Sequence, residues 1–188
     1  MKWSDWAVLA LACVALNTGG ARAADPLETA MQTCWSCHGV AGEPKDPTIP
    51  IIWGQQAKYI EKQLRDYRAG DRDNQIMSSM AEAVPFKELA RAAELIAAKV
   101  WPQRADVAKA PAPESAATCQ ACHGADLMGG ASPEGIAPRL AGQFAEYLDD
   151  QMGAFARDQR ANQKTMSAMM KALSAEERAR LAKYFAGL

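Results

Sequence analysis

Apolar residues recur along this chain at three- and four-residue spacing, and nowhere in strict alternation. Tyr59, Ile60, Gln63, Leu64 and Tyr67 form one largely apolar stripe, which predicts a helix over about 55–69. Gly70 follows as its left-handed stop. Leu89, Ala92, Ala93 and Ile96 share a second face, predicting a helix from Pro85 to Lys99 that ends at Trp101-Pro102. A shorter helix is predicted over 26–37. A last one runs to about Phe185 and opens at Ser174-Ala175-Glu176-Glu177, a capping box. A Pro-rich loop (Pro44, Pro47, Pro50) and a polar loop over 71–75 lie between the early helices. The polar loop leads into a further loop stretch carrying Met77 and Met80. No Val/Ile/Thr-rich run calls for a strand, so the expected class is all-α.

The pattern occurs twice. Cys119 lies 85 residues after Cys34. Pro138-Arg139-Leu140-Ala141-Gly142-Gln143 lies 88 after Pro50-Ile51-Ile52-Trp53-Gly54-Gln55, and Met166 and Met169 lie 89 after Met77 and Met80. Tyr147 answers Tyr59 and Phe155 answers Tyr67. An ordered repeat with small drifts in offset implies a duplicated unit whose insertions fall in loops. The Ala-, Pro- and charge-rich stretch around Ala110-Pro111-Ala112-Pro113 separates the copies. The expected organisation is therefore a domain over 24–103, a linker over 104–115 and a second domain over 116–188. Domains of this size are marginal on apolar burial alone and need an added apolar centre.

Residues 1–23 have the layout of a secretory signal peptide. Lys2 gives a positive start, an apolar run extends from Ala7 to Leu16, and Ala21-Arg22-Ala23 offers a cleavage site. The apolar run is about half of what spans a bilayer. Cleavage after Ala23 discards Cys13 and leaves the mature chain with 19 basic and 21 acidic residues. A net charge of −2 carries no nucleic-acid footprint. Charge is even between the halves: 9 basic against 11 acidic residues over 24–103, then 10 against 10. No dipole names a partner.

Candidate chemistry sits in two runs, Cys34-Trp35-Ser36-Cys37-His38 and Cys119-Gln120-Ala121-Cys122-His123. C-x-x-C-H is the c-type haem attachment signature. Two thiols one helical turn apart can each add to a vinyl group of one porphyrin, and the following His can take the iron as proximal ligand. Both His of the chain, and all four Cys outside the leader, belong to these runs. A four-thiolate zinc site would leave both His unexplained, and a thioredoxin-like motif would want a βαβ context. The expected cofactors are two covalently bound haem c groups, attached through Cys34, Cys37, Cys119 and Cys122. With no third His and no spare mature Cys, Met is the natural sixth ligand, about 40 residues past each His. The repeat offers Met77 or Met80, and Met166 or Met169, without choosing.

These motifs together resemble the dihaem cytochrome c4 family across about 160 residues: C-x-x-C-H-G, the P-x-x-x-G-Q turn, a Tyr-bearing helix, a Met and a final helix, twice over. The resemblance implies two tandem class I cytochrome c domains, each wrapped round its haem. They would be related by pseudo-twofold symmetry, with both haems near the interface. It implies Pro50 and Pro138 beside the proximal His. In the family the ligand Met stands seven residues before the apolar residue that precedes the last helix. Val84 and Leu173 hold that place, which picks Met77 and Met166 beside His38 and His123 as iron ligands. Trp53 and Ile52 in the first turn, and Val84-Pro85 before its helix, depart from the pattern and imply altered packing by the first haem. Trp53, Tyr59, Tyr67, Tyr147 and Phe155 are expected as haem-pocket and core aromatics.

The resemblance further implies an electron-transfer protein, not an enzyme. It would be periplasmic, free or loosely membrane-associated. It would carry electrons from a quinol-oxidising complex or a dehydrogenase to a terminal oxidase. The alternative is the dihaem electron-accepting subunit of a dehydrogenase such as flavocytochrome c sulfide dehydrogenase. A dihaem enzyme ranks below both: a thiosulfate dehydrogenase of the Cys-ligated type would need a Cys ligand that the mature chain lacks, and a peroxidase an accessible iron and a longer chain. Intact-mass measurement of exported protein is expected to give a chain starting at Ala24 plus two haems. A mass without them would dismiss the attachment sites.

Overall fold

The structure, a computed structural model, describes residues 25–105 and 107–188. The expected leader over 1–23, with Cys13 and the cleavage site after Ala23, lies outside them. Helix α1 (Pro26–His38) starts where Pro26 suits the first turn and the Asp25 carboxylate accepts the Leu27 N–H at 3.0 Å. It carries the whole of the first C-x-x-C-H run in its last turn and a half. Helix α2 (Ala57–Ala69) ends as its Gly70 predicts, at φ 79° with the glycine N–H returned to the Asp66 carbonyl.

Helix α3 (Gln75–Ala83) corrects the expectation of a loop around Met77. The Asn74 side chain caps it by accepting the Met77 N–H at 2.9 Å, and no helix breaker stands between Gln75 and Ala83. The helix expected from Pro85 begins instead as a 3₁₀ turn, Phe86–Glu88, and becomes α4 (Leu89–Ala97). The second half runs α5 (Ala116–His123), α6 (Ala145–Ala156), α7 (Lys164–Ala172) and α8 (Ala175–Ala186). Again the Met-bearing stretch is helical, as α7. A small antiparallel hairpin, β1 (Gly130–Ser132) with β2 (Gly135–Ala137), stands where no strand was expected. Three-residue strands are too short to show alternation.

Each half has its own core. Leu27, Met31, Ile60, Val84, Leu89, Ala92, Ala93 and Ile96 close the first, where α2 lies against α4. Leu127, Leu148, Met152, Phe155, Met170, Leu181 and Phe185 close the second, where α6 lies against α8. Half of the capping box forms at α8: the Ser174 hydroxyl accepts the Glu177 N–H at 3.1 Å, while the Glu177 carboxylate turns to Ser115 and Arg180. A third cluster of Ile51, Trp101 and Phe144, with Tyr147 against it, joins the halves.

The halves are also tied by hydrogen bonds that cross in both directions. The Arg72 guanidinium donates to the Tyr147 hydroxyl (3.1 Å) and to the Gln151 amide oxygen (2.7 Å). The Arg160 guanidinium donates to the Tyr59 hydroxyl (3.0 Å) and to the Gln63 amide oxygen (3.0 Å). Arg72 lies over the Tyr67 ring and Arg160 over the Phe155 ring. The backbones of Arg72 and Arg160 meet in an antiparallel bridge. Every member has its counterpart 88 residues away, as a twofold relation between duplicated halves requires. The Tyr59 and Tyr147 hydroxyls therefore both serve the interface between the halves. Arg160→Ala is expected to take the Arg160 donor from the Tyr59 hydroxyl and one of three donors from the Gln63 amide oxygen, and to cost about 1–3 kcal/mol. Calorimetry would show it as a lower midpoint or a split transition, and an unchanged scan would contradict the role.

Candidate haem sites

The last turn of α1 places Cys34 and Cys37 three residues apart on one side of the helix, and His38 ends it. The last turn of α5 does the same with Cys119, Cys122 and His123. All four thiols are free. Burial pushes the Cys34 and Cys119 thiols up. Both imidazoles are buried, each 7 % exposed. Their Nδ1 atoms lie 2.8 Å from the carbonyl oxygens of Pro50 and Pro138 respectively. A carbonyl can only accept, so Nδ1 carries the proton in each ring and Nε2 presents a lone pair. Burial also lowers both pKa values, against a smaller opposing effect of the carbonyl, and favours the neutral, metal-binding form.

A glycine follows each His because the chain must turn sharply there. Gly39 has φ 91°, and a Cβ on it would stand 2.4 Å from the Glu43 carbonyl oxygen. Gly124 has φ 86°, but its Cβ would meet the Asp126 side chain at 3.2 Å and backbone, that of Gly129, no nearer than 3.7 Å. Trp53 stacks edge-on against Trp35 at 5.6 Å, with Lys99 5.3 Å from its ring centroid. A Cβ on Gly42 would stand 2.6 Å from its ring. Trp53 thus packs against Trp35, inside the first C-x-x-C-H run, and over Gly42.

Met77 and Met166 are each the third residue of their helix, α3 and α7, and are partly buried. Met80 and Met169 lie on the same faces one turn on and are also partly buried. Met152 and Met170 are core residues at 7 % and 1 % exposure. Among the described residues, no three His, Cys, Asp or Glu gather into a metal cluster, so the two Cys pairs do not combine into one site. The donor set of each half fits a covalently held haem: two free thiols one turn apart, an imidazole with Nε2 available, and thioethers on a separate helix.

Comparison with known proteins agrees. The cytochrome c family model matches residues 111–188. The chain is 32 % identical over its whole length to the thiosulfate dehydrogenase electron acceptor of Stutzerimonas stutzeri (strain A1501), covering 97 % of that protein. It is 31 % identical to cytochrome c4 of Thiocapsa roseopersicina, over 82 % of this chain and 86 % of that one. The chain belongs to the dihaem cytochrome c4 family. The cytochrome c4 structure from Acidithiobacillus ferrooxidans superposes with a TM-score of 0.72 at 26 % identity, over 84 % of this chain and 99 % of that one. The fold is accordingly that of tandem cytochrome c domains, and the cofactors are covalently bound haem c at the motifs 34/37 and 119/122. Like its cytochrome c4 relatives, the protein transfers electrons to and from redox partners and is not an enzyme.

Sequence reasoning missed what the rest of this cytochrome's repeat does. Gln63 stood only as a member of the α2 stripe, and Gln151, Arg72 and Arg160 escaped notice, although they share the 88-residue offset that paired Tyr59 with Tyr147. The P-x-x-x-G-Q glutamines, Gln55 and Gln143, were seen as motif letters only, yet both are buried and reach into the opposite domain. The glycine contrast is testable. Gly39→Ala is expected to destabilise its domain by more than about 1 kcal/mol and to lower haem content there. Gly124→Ala should do less, because a side chain can move where a backbone cannot. Haem-to-protein ratios and thermal midpoints of the two variants would reverse if the reasoning is wrong.

Proposed function

We propose that this cytochrome is an exported, periplasmic shuttle that accepts electrons from a thiosulfate-oxidising dehydrogenase and passes them to a terminal oxidase. The observation that carries the donor is the full-length likeness to the thiosulfate dehydrogenase electron acceptor of Stutzerimonas stutzeri. It favours a dehydrogenase donor over a quinol-oxidising complex, and thiosulfate over the sulfide of the flavocytochrome alternative. Joining two thiosulfate ions through a new S–S bond releases two electrons, and two one-electron centres can take both. Export is supported by the leader pattern over 1–23 and by the attachment of haem to thiols outside the cytoplasm in this type of system. No helix among the described residues is long and apolar enough to cross a membrane.

In this reading His38 and Met77 hold the first iron and His123 and Met166 the second. Bound haem supplies a one-electron couple; the protein's part is to hold its ligands still and tune the potential. Pro50 and Pro138 fix the imidazole orientations, and the start of α3 or α7 presents the thioether. With the same atoms bound in both oxidation states, little has to reorganise.

Two outcomes are expected. Holoprotein mixed with a thiosulfate dehydrogenase and thiosulfate should show reduced-haem absorption at both centres. Reduction only by a quinol-oxidising complex would remove the proposed donor. Met77→Ala or Met166→Ala should each abolish the sulfur-to-iron band of one haem and lower its potential. Unchanged spectra in both would shift the ligation to Met80 and Met169.

A further inference from the structure

Each imidazole leans on a peptide group that the opposite domain holds from its other end. The Pro50 carbonyl and the Ile51 N–H belong to one peptide unit. Its oxygen lies 2.8 Å from His38 Nδ1, and its N–H donates to the Gln143 amide oxygen at 3.0 Å. The Gln143 amide nitrogen donates back to the Ile51 carbonyl at 2.9 Å. The second domain repeats the arrangement. The Pro138 carbonyl lies 2.8 Å from His123 Nδ1, and the Arg139 N–H donates to the Gln55 amide oxygen at 2.8 Å. The Gln55 amide nitrogen donates to the Arg139 carbonyl at 3.0 Å. Backbone N–H groups fix which end of each side-chain amide is oxygen: Gln55 also accepts the Gln56 N–H, and Gln143 the Phe144 N–H. Both glutamines are buried, at 5 % and 2 % exposure, so water does not compete for these contacts.

From these paired geometries we infer that Gln143 and Gln55 are positioning residues that tune the haem of the domain to which they do not belong. Hydrogen bonds in series polarise one another by roughly 10–30 % per bond. An N–H engaged by Gln143 makes the Pro50 oxygen a stronger acceptor for the His38 Nδ1–H. A more strongly held proton leaves more negative charge on the ring, so Nε2 becomes the better donor to a metal. A better donor favours the oxidised iron. Each glutamine therefore lowers the potential of the other domain's haem, and domain docking sets both potentials together. The inference rests on His38 and His123 being the ligands proposed above.

The chain has only two histidines, so ¹⁵N-histidine labelling gives one Nδ1–H signal per domain in the reduced holoprotein. Contacts to Gly39 and Gly124 assign them. Gln143→Leu is expected to move the His38 signal upfield and leave that of His123 in place. In a redox titration it should shift the one-electron equilibrium of the first haem about threefold toward reduction, about 28 mV at 59 mV per tenfold. Gln55→Leu should do the converse. A shift confined to the mutated domain, equal shifts in both, or none in either would overturn the inference. Should a leucine variant fail to acquire haem, Gln143→Asn and Gln55→Asn keep the amide but withdraw it by one methylene, and the same crossed pattern decides. Failure of the ligand assignment would look different: the His38 or His123 ring protons of the unmutated protein would lack the large upfield displacement that an overlying porphyrin imposes.

Discussion

A buried imidazole that is to serve a metal needs one ring nitrogen protonated and anchored, and the other bare. In this chain two proline carbonyls impose that state, on His38 and on His123, at the same distance. Proline is apt for the task. Having no N–H of its own and a fixed φ, it leaves no donor to satisfy beside the ring and narrows the conformations open to the loop that carries the carbonyl. Much of the surrounding structure can be understood as keeping those carbonyls in place. The Pro-rich loop delivers Pro50, and the β1–β2 hairpin ends one residue before Pro138. Gly39 and Gly124 turn the chain away directly after each ring.

The same carbonyls explain why the P-x-x-x-G-Q turns join the interface beside the faces of α2 and α6. A loop peptide next to a buried ring cannot be left half satisfied, because an unpaired buried backbone group costs about as much as a lost hydrogen bond. The Ile51 and Arg139 backbones have no strand or helix to pair with, and the glutamine of the other copy supplies both a donor and an acceptor. Arg72 and Arg160 extend the interface by another route. They are buried at 6 % and 7 % exposure, and none of the ion pairs among the described residues includes either. Neutral amide and hydroxyl oxygens accept hydrogen bonds from their N–H groups instead, and an aromatic ring lies against each guanidinium. An interface satisfied by geometry in place of opposite charge depends on the two halves keeping one orientation.

What the sequence made legible follows from the length scale of each signal. Helices α2, α4 and α8 carry a sustained apolar stripe or a cap, and were expected close to where they lie. The C-x-x-C-H runs were legible because a covalent chemistry demands those letters at that spacing. Helices α3 and α7 look like loop in the sequence because the polar residues leading into them resemble turn residues. Asn74 and Gln163 are in fact caps, and a cap and a turn draw on the same side chains. The hairpin was invisible because it has three residues a side. The neighbours of Trp53, namely Trp35, Gly42 and Lys99, could not be read from the sequence, being distant along the chain or too small to predict a contact. The interface was present in the sequence all along, as an 88-residue offset shared by Gln55, Tyr59, Gln63, Tyr67 and Arg72. A repeat announces that residues are equivalent without saying that they face each other.

That last step has a physical basis. When a domain is duplicated and the copies dock about a twofold axis, each surface residue near the axis meets its own counterpart's neighbourhood. A glutamine long enough to reach across then does so twice, once in each direction. Tyr59 with Arg160 and Tyr147 with Arg72 obey the same rule, as does the antiparallel meeting of the two arginine backbones. Residues near such an axis cannot be optimised for one domain alone, because the partner site changes with them unless the copies diverge. Divergence here is concentrated away from the axis: Trp53 against Ala141, the loop over 40–50 against a hairpin, Val84-Pro85 against Leu173-Ser174. The reciprocal pairs Gln55/Gln143, Tyr59/Tyr147, Gln63/Gln151 and Arg72/Arg160 have kept their types, and Tyr67/Phe155 keeps the ring, whereas the contacts of Asn162 with Lys62 and Asp66 have no equivalent, because Asp150 and Ala154 stand at the matching places. The two electron sites are therefore free to differ in their outer packing while sharing one arrangement at the point where each touches the other.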